Sequence, residues 1–449
     1  MADTAAGTTD GTAALIADRT VDRTPDRAVH GTAVEGAAVL YRVRLPMHAR
    51  FDHPAARRAA SDSLVLRLTC EGTSGIGECA PRPYVTGETG ESVMAALRGT
   101  PLDRVFALLR GEPPAELLER IRREGFTEVF RITGRNNLLC LLETAVLDLL
   151  GRRLGLGGAE LIGAGPTPGG APGTPGAHGM PRSPGAPGTV AVLPVSQVLD
   201  LSITAEEFLA TRGPFHFVKI KASDDIERDA RSVRAVRAHV GDGVPVMVDA
   251  NMSWTEATAL PHAWRLRDAG ADYVEEPLPK GSWAALSALR RKAGLKIMLD
   301  ESLCTIEDAR TAVETRACDA FNIRVAKNGG PLRAARLIEH ARRHGIAFQI
   351  GVQVAEVGPL INAGRALAFC HRDALTVEAG QSDRFFPEMI VSPRPAVDRR
   401  ANTLSPAPGS GFGMSLNGAA EPWAALVLPH ENGSWQPVAA PRPTAHASL

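Results

Sequence analysis

Five short stretches between residues 215 and 327 share one form, an apolar run that ends in charged residues: FHFVKIK (215–221), VPVMVDAN (244–251), DYVEEP (272–277), KIMLDE (296–301) and AFNIRVAK (320–327). Each run is short enough for a buried β-strand, and an amphipathic helical pattern of a dozen or more residues follows it. The steps from Lys221 to Asp249, Glu275, Asp300 and Arg324 are roughly 24 to 28 residues, close to one βα unit. The repeat predicts a parallel barrel whose charged strand ends meet at one rim.

The rest of the chain is organised around this repeat. Strand patterns continue on both sides of it, to a count of eight, with a weaker last strand near 375–378. We therefore predict an α/β protein, a modified TIM barrel of the (β/α)7β type with an α+β capping domain. The predicted segments, in chain order, are a disordered leader (1–34), the capping domain (35–155), a Pro/Gly-rich insertion (156–188), the barrel (189–379) and a C-terminal segment (380–449) that returns to the capping domain and has a loose end.

Composition excludes several classes of protein. Lys plus Arg and Asp plus Glu both number 50 among 449 residues, so no basic field is available for a nucleic acid. The six cysteines are scattered without paired spacing, which argues against a disulfide framework or a zinc ribbon and suits a reducing compartment. No apolar run has the length of a membrane span or resembles a signal peptide. We expect a cytoplasmic protein that forms a homo-oligomer and has neither a nucleic-acid nor a membrane partner.

Asp249, Glu275 and Asp300 end three consecutive predicted strands. Neighbouring strand ends converge at the mouth of a barrel, where three unpaired carboxylates would repel one another. A hard divalent ion with oxygen ligands would satisfy them, so we expect Mg²⁺ there, with Mn²⁺ as the alternative. The competing interpretation is that each acid caps the helix that follows it.

Lys219 and Lys221 lie two residues apart on one predicted strand and therefore point to the same face, here the barrel interior. A lysine that is partly desolvated near a second cation has a lowered pKa and becomes a usable proton acceptor at neutral pH. The alternative for a lone KxK is two lysines leaning towards solvent. An ion that chelates a carboxylate beside such a lysine allows proton abstraction alpha to that carboxylate, because the ion stabilises the enediolate charge.

The motifs resemble the successive signatures of the enolase superfamily, muconate lactonizing enzyme subgroup. The resemblance rests on KIK at 219–221, DAN at 249–251, VEEP at 274–277, LDES at 299–302 and NIRVAKNGG at 322–330. It implies a divalent ion on Asp249, Glu275 and Asp300 and an acid or base role for Lys221, supported by Lys219. The loop at 75–89 resembles the specificity loop of that family's capping domain.

The resemblance also extends to a set of surrounding positions. The resemblance implies that Asn251 and Glu276 lie beside the ligands of the ion, and Glu356 falls where the muconate lactonizing enzymes place a glutamate. We add Glu301, Lys327 and Gln353 as residues that contact the ligands of the ion or the substrate, and Tyr84 and Arg82 as residues that face the substrate from the capping loop. For Lys327 a surface position at a helix start is the favoured interpretation. No His ends the seventh strand, which argues against the mandelate racemase subgroup with its His base.

One position departs from the family pattern. Arg324 stands where the resemblance places a second lysine, on the other face of the substrate, and an arginine is a fixed cation but a poor acid or base. One-base chemistry on a small carboxylate, a cycloisomerisation or an elimination catalysed by a lyase, is therefore the first hypothesis. The second is a racemase or epimerase of an amino acid or dipeptide derivative, with Arg324 or Lys327 on the far face. The third is a noncatalytic protein that binds an acidic metabolite.

Overall fold

The computed structural model describes residues 36–53, 56–163 and 192–438. The predicted leader, most of the predicted insertion and the last eleven residues lie outside these ranges. Within them, no helix is both long and apolar enough to cross a membrane.

The capping domain starts with antiparallel strands. They are β1 (Gly36–Val43), β2 (Pro46–His53), β3 (Ala56–Ala60), β4 (Ser63–Cys70) and β5 (Thr73–Cys79). β1, β4 and β5 are neighbours in one sheet, and β2 pairs with β3 in a separate hairpin. Alternation along β1 turns Ala38 and Leu40 into the core while Ala37 and Val39 are less buried, as expected for a strand with one covered face.

Between this sheet and the barrel, the described residues form seven helices. They are α1 (Pro83–Thr86), α2 (Gly90–Arg98), α3 (Asp103–Gly111), α4 (Pro114–Glu124), α5 (Phe126–Phe130), α6 (Asn136–Leu154) and α7 (Gly158–Ile162). Helix α6 lies directly on β5 because Gly75 and Gly77 have no side chain. A Cβ at Gly75 would lie 2.3 Å from the Ala145 oxygen, and one at Gly77 would lie 2.3 Å from the Leu141 oxygen. The close contact buries α6 on nearly every side.

The start of the predicted insertion, residues 156–163, is ordered and belongs to the core, so the predicted boundary was wrong there. These residues precede the Pro/Gly run and include α7, in which Leu161 is fully buried. Gly158 is the close-contact point, since a Cβ there would lie 2.8 Å from Cβ of Ala366. The Pro and Gly content of the later residues obscured this short helical turn.

The predicted barrel is confirmed. Its parallel strands are β7 (Gln197–Leu199), β8 (Val218–Lys221), β9 (Val246–Asp249), β10 (Tyr273–Glu275), β11 (Lys296–Leu299), β12 (Ala320–Ile323) and β13 (Ala347–Ile350). The short β6 (Leu193–Pro194) precedes them and pairs antiparallel with residues 403–404 outside the barrel sheet. The intervening helices are α8 (Ala205–Thr211), α9 (Ile226–Val240), α10 (Glu256–Ala269), α11 (Trp283–Ala293), α12 (Ile306–Thr315), α13 (Pro331–Arg343) and α14 (Pro359–Cys370). β7 to β13 form one seven-stranded parallel sheet in sequence order.

The eighth position of the barrel is taken by residues 375–378, where the sequence predicts a weak strand. The Glu378 nitrogen donates to the Ile350 oxygen of β13 at 3.0 Å. On the other side, the Ser196 nitrogen donates to the Val377 oxygen at 3.0 Å. This short extended segment therefore bridges the two ends of the sheet and closes the barrel.

The barrel interior is layered. Phe217, Met247, Tyr273, Met298 and Ala320 form an apolar cluster inside the sheet. Side chains two residues further along a strand share the same face, so the next interior layer is charged or polar. That layer consists of Lys219, Asp249, Glu275, Asp300 and Asn322. The apolar cluster keeps water away from these groups on one side and leaves the strand ends as their route to solvent.

The C-terminal segment returns to the capping sheet. It contains 3₁₀ turns at Ser382–Arg384 and Gly418–Trp423 and the strands β14 (Val391–Ser392), β15 (Thr403–Leu404), β16 (Ser415–Leu416), β17 (Ala424–Leu428) and β18 (Gln436–Pro437). β17 pairs antiparallel with β1, giving the sheet order β18-β17-β1-β4-β5. Chain segments from both sides of the barrel thus build the capping domain.

Candidate active site

Strand register brings the predicted metal ligands together. Lys221 pairs with Asp249, and Asp249 pairs with Glu275, across three adjacent parallel strands. Glu275 in turn pairs with Met298, two residues before Asp300 on the same face. The three carboxylates therefore line one sector of the barrel mouth, and all three are fully buried.

The backbone is strained just beyond two of these acids. Asn251 has φ +44° and Glu276 has φ +35°, both in the left-handed region that residues with a Cβ adopt at a cost. Strain of this kind persists where the surrounding structure determines it and clusters at functional sites. Here it turns the chain sharply at the strand ends and keeps both side chains buried at the rim.

Lys219 is the central cation of the site. Its Nζ lies 2.7 Å from Glu275 Oε2, 2.5 Å from Glu378 Oε1 and 3.7 Å from Asp249 Oδ2. Burial alone would lower the pKa of this lysine, but the carboxylates of Glu275, Glu378 and Asp249 outweigh burial and raise the pKa well above its usual range. Lys219 is therefore a permanent cation that holds acids from three parts of the barrel together.

Lys221 is nearest to the mouth. Its Nζ donates to Asp249 Oδ2 at 2.6 Å and to Asn251 Oδ1 at 3.1 Å. Burial would raise the pKa of Asp249, but Lys221 and Lys219 lower it below its ordinary range. Asn251 also donates to Glu301 Oε1 at 3.3 Å. The Lys221 amine thus lies between a metal-ligand candidate and a neutral amide.

Asp300 is held by two cations. Lys327 Nζ donates to Asp300 Oδ1 at 2.8 Å, to the Asp300 backbone oxygen at 2.6 Å and to the Asn322 oxygen at 2.7 Å. Arg324 forms a close ion pair with Asp300 Oδ2. Lys327 is fully buried, so the favoured interpretation of it as a surface lysine was wrong. Burial, and next the charge of Arg324, lower the pKa of Lys327 to about 7.

Glu276 and Glu301 lie beside the strand ends and form no ion pair with any residue that the structure describes. Glu276 accepts hydrogen bonds from the Asp300 nitrogen at 2.6 Å and from Ser302 Oγ at 2.5 Å. Burial raises the pKa of Glu276 to about 7, and burial followed by the charge of Glu276 raises the pKa of Glu301 to about 8. Both acids help to fix the loops that follow β10 and β11.

The side chains differ in one respect from the expected open trio of carboxylates. In the part of the chain that the structure describes, no three acidic, His or Cys side chains gather their donor atoms around a common point. The reason is that Lys219 and Arg324 lie between Asp249, Glu275 and Asp300 and take up their charge.

The residues nevertheless fit a divalent ion. Glu301 Oε2 is buried and has no hydrogen-bond partner in the described part of the chain, so the site contains an oxygen that these side chains leave unsatisfied. Six buried carboxyl groups face four buried cations. Ionisation of all six, including Glu276 and Glu301 with their raised pKa values, would leave an excess of two negative charges. A divalent ion with hard oxygen ligands would neutralise that excess. The groups in this comparison are Asp249, Glu275, Glu276, Asp300, Glu301 and Glu378 against Lys219, Lys221, Arg324 and Lys327.

Two polar residues that contact the site were missed from sequence. Asn322 donates to Glu275 Oε1 at 2.5 Å, and Glu378 pairs with Lys219. Asn322 could have been found, since it lies two residues before Arg324 on the inward face. Glu378 ends the weak eighth strand, and its partner lies more than 150 positions earlier in the chain.

The loop after β13 contributes Gln353 and Glu356. Gln353 Oε1 accepts from Arg324 at 3.1 Å, and the Gln353 nitrogen donates to Glu356 Oε1 at 2.6 Å. Burial, and next the charge of Glu78, raise the pKa of Glu356 well above its ordinary value. Gln353 therefore contacts the site directly, and Glu356 shapes the loop that carries it.

The two capping-loop residues have different positions. Tyr84 is half-buried in α1, next to Val85, whose oxygen accepts from Lys280 Nζ of the barrel at 2.7 Å. Arg82 is buried and donates to the oxygens of Pro81 and Val354, both at 2.8 Å. The guanidinium of Arg82 thus joins the capping loop to the loop after β13, and its role towards a substrate stays a prediction.

Comparison with known proteins agrees with this architecture. Residues 200–419 match the family model "Enolase C-terminal domain-like". The chain is 26% identical over 342 residues to the N-succinyl-L-Arg/Lys racemase of Bacillus cereus, covering 76% of this chain and 85% of the racemase. It is 30% identical over 292 residues to the chloromuconate cycloisomerase of Cupriavidus necator, covering 65% of this chain and 72% of that enzyme.

Among solved structures, the dipeptide epimerase of Cytophaga hutchinsonii in complex with Mg and the dipeptide D-Ala-L-Val superposes with a TM-score of 0.67. The match covers 86% of this chain and 96% of the epimerase at 19% identity, and so supports the shared fold. The fold, the order of the strand-end motifs and the identity to the cycloisomerase agree. The chain therefore belongs to the enolase superfamily of metal-dependent enzymes, within the mandelate racemase/muconate lactonizing enzyme family.

Proposed function

We propose that this enzyme moves a proton at the carbon alpha to a substrate carboxylate and does so with a single base, Lys221, as a cycloisomerase or a lyase. The observation that carries the proposal is the pair of residues on opposite sides of the barrel mouth. Lys221 ends β8, and Arg324 follows β12. These strands are four positions apart in a barrel of eight, so a substrate between them meets an amine on one face and a guanidinium on the other.

Lys221 is suited to proton transfer by position. It is buried to more than nine-tenths yet ends its strand at the rim, and Asp249 and Asn251 fix its amine at 2.6 and 3.1 Å. Lys219, one step deeper, stays charged among three carboxylates. It therefore holds positive charge beneath Lys221 without exchanging its own proton.

Asp249, Glu275 and Asp300 are the residues that would hold Mg²⁺ or Mn²⁺. When bound, such an ion supplies stabilisation for the negative charge that develops on the substrate carboxylate. The chain's own contributions are to bring three hard oxygen donors to the rim, to exclude water through the apolar layer below them and to place Lys221 beside Asp249. Arg324 remains a fixed positive charge on the far face.

A second proton-transferring group on that far face is not supported by the contacts. An arginine keeps its proton at any working pH. Lys327 donates to three oxygens, two of them backbone carbonyls, and is completely buried, so it cannot approach a substrate without breaking those bonds. One-base chemistry is thus favoured over racemisation, although the relatives include both racemases and cycloisomerases.

The test is an NMR assay in deuterated buffer with Mg²⁺ and a panel of muconates, N-succinyl amino acids and dipeptides. We expect a new ring or double bond, or exchange of the alpha proton with retained configuration. Both signals should disappear in Lys221→Ala. Exchange with inversion of the recovered substrate would instead support the racemase or epimerase. Absence of all exchange across the panel, with Lys221→Ala indistinguishable from the native enzyme, would favour a noncatalytic binder of an acidic metabolite.

A further inference from the structure

Arg324 contacts the groups that would bind the divalent ion. Its guanidinium forms the close ion pair with Asp300 Oδ2, and the same nitrogen lies 3.9 Å from Glu275 Oε1. The other terminal nitrogen donates to Gln353 Oε1 at 3.1 Å. Only 7% of Arg324 is exposed. A planar guanidinium can serve several acceptors at once, whereas the ammonium of a lysine is a compact point charge.

Asp300 has little capacity left for an ion in this arrangement. Lys327 occupies Oδ1 and Arg324 occupies Oδ2, so both carboxylate oxygens already face cations. Lys327 is also bonded to the backbone oxygens of Asp300 and Asn322, which fixes it in place. Arg324 has no backbone bond from its guanidinium among its described contacts, and its side chain extends from the loop after β12. Of the two cations on Asp300, Arg324 is the one that can withdraw.

We propose that Arg324 is a built-in competitor of the divalent ion. It neutralises Asp300 and Glu275 when no ion is bound, and it must leave Asp300 Oδ2 before the ion can use that oxygen. A divalent ion bonded to Asp300 Oδ2 and a guanidinium in close contact with the same oxygen would repel each other strongly, since charge interactions are weakly screened in the interior. The displaced guanidinium would keep its hydrogen bond to Gln353 Oε1. The proposal rests on the proposed metal site, and it concerns the affinity of that site rather than the reaction.

The test is a calorimetric titration of the metal-stripped full chain with Mn²⁺ alone. Arg324→Met keeps the aliphatic bulk and removes the competing charge, so we expect Mn²⁺ to bind at least tenfold more tightly than to the native chain. Arg324→Lys retains the charge but loses the planar guanidinium, and its Mn²⁺ affinity should rise by a smaller factor. Arg291→Met is the matched control. It makes the same change in net charge on α11, where Arg291 bonds to Ser287 Oγ, and should leave Mn²⁺ affinity unchanged.

The outcomes separate this inference from the proposed function. Equal or weaker Mn²⁺ binding by a folded Arg324→Met, beside normal binding by the native chain, overturns the competition alone. Mn²⁺ binding that is unaffected by Asp249→Asn and Asp300→Asn overturns the metal site itself and the competition with it. If Arg324→Met does not fold by circular dichroism, Arg324→Lys decides the matter. An Mn²⁺ affinity of Arg324→Lys equal to that of the native chain then contradicts the proposal.

Discussion

The amine of Lys219 lies 2.5 Å from Oε1 of Glu378, a contact that joins the second strand of the barrel sheet to the segment that closes it. The same amine lies 2.7 Å from Glu275 on β10. Burial would raise the pKa of Glu378, but Lys219 and then Arg324 lower it below its ordinary value. The charge of one lysine thus compensates the charges of acids from distant parts of the barrel.

Lys219→Met should therefore destabilise the metal-free protein. The change leaves Glu275 and Glu378 buried with less compensating charge, and removing one partner of a buried pair costs about 3–5 kcal/mol. We expect a loss of this size in the free energy of unfolding by urea. Adding Mn²⁺ should recover part of the loss, since the ion supplies positive charge to the same acids.

Lys292→Met provides the control for that measurement, because Lys292 is exposed at the end of α11 and the change removes the same charge. Its free energy of unfolding should stay within about 0.5 kcal/mol of the native value. An equal, small effect for both variants would show that Lys219 is not essential to the charge balance of the site.

Gly351 is needed for the position of Asn322. A Cβ at Gly351 would lie 2.2 Å from Asn322 Oδ1, and Asn322 in turn donates to Glu275 at 2.5 Å. Gly351→Ala should push Asn322 away and leave Glu275 short of a donor, at a cost of about 1–3 kcal/mol. Mn²⁺ affinity should fall in parallel, as measured by calorimetry.

Gly364→Ala is the matched comparison, because nothing lies within 4 Å of a Cβ at this position inside α14. Replacing an unhindered helical glycine by alanine stabilises by about 0.4–1 kcal/mol. Gly351→Ala should therefore lower the free energy of unfolding, and Gly364→Ala should raise it. A stabilising effect of Gly351→Ala would contradict the steric argument.

Several features of the site could be predicted because they depend on local periodicity. The spacing of strand ends and the two-residue period predict that Lys219, Asp249 and Glu275 point inward, and the structure places them there. The pairing of charges across the barrel could not be predicted in the same way. Glu378 reaches Lys219 only because the barrel closes, and the contact of Arg324 with Asp300 depends on two rotamers and on the loop after β12.

Burial was the other quantity that sequence did not determine. Arg82 and Lys327 are long cations in Pro- or Gly-rich surroundings, where solvent exposure is the usual expectation. Both are buried, because backbone oxygens at the junctions of loops and strands accept their donors. Those acceptors come from distant residues such as Val354 and Asp300, so a local pattern contains no trace of them.

Glu143 should make stability depend on pH. Burial raises the pKa of this α6 carboxyl to about 7 from an ordinary value of 4.5, and the group accepts from the Leu332 nitrogen at the start of α13. Between these two pH values the unfolded chain has released the proton and the folded chain retains it. The stabilising contribution is therefore complete below about pH 4.5 and is lost as the pH rises through 7.

The comparison of native protein with Glu143→Gln isolates this effect, because glutamine does not titrate. The free energy of unfolding of the native protein, relative to that of Glu143→Gln, should fall by at most about 3 kcal/mol between pH 4.5 and pH 8, since one pKa unit corresponds to about 1.4 kcal/mol. Urea unfolding at the two pH values measures it. The exposed Glu339→Gln should show no such trend, and a parallel pH response of native protein and Glu143→Gln would contradict the argument.

Glu78 joins the capping domain to the loop that carries Gln353. Its carboxylate accepts from the backbone nitrogens of Val357 at 2.7 Å, Gly358 at 3.0 Å and Leu360 at 3.1 Å, at the start of α14. Glu78→Gln replaces one acceptor oxygen by a donor that faces N–H groups, which costs about 1–3 kcal/mol. Urea unfolding at a fixed pH should reveal this loss.

Hydrogen exchange distinguishes a local effect from a global one. In Glu78→Gln the amides of Val357, Gly358 and Leu360 should exchange faster by more than the change in global stability explains, because their acceptor is altered directly. Glu339→Gln on the exposed face of α13 should leave both quantities near their native values. Unchanged exchange at these three amides, with a stability equal to that of the native chain, would show that the contact does not hold α14 against the capping domain.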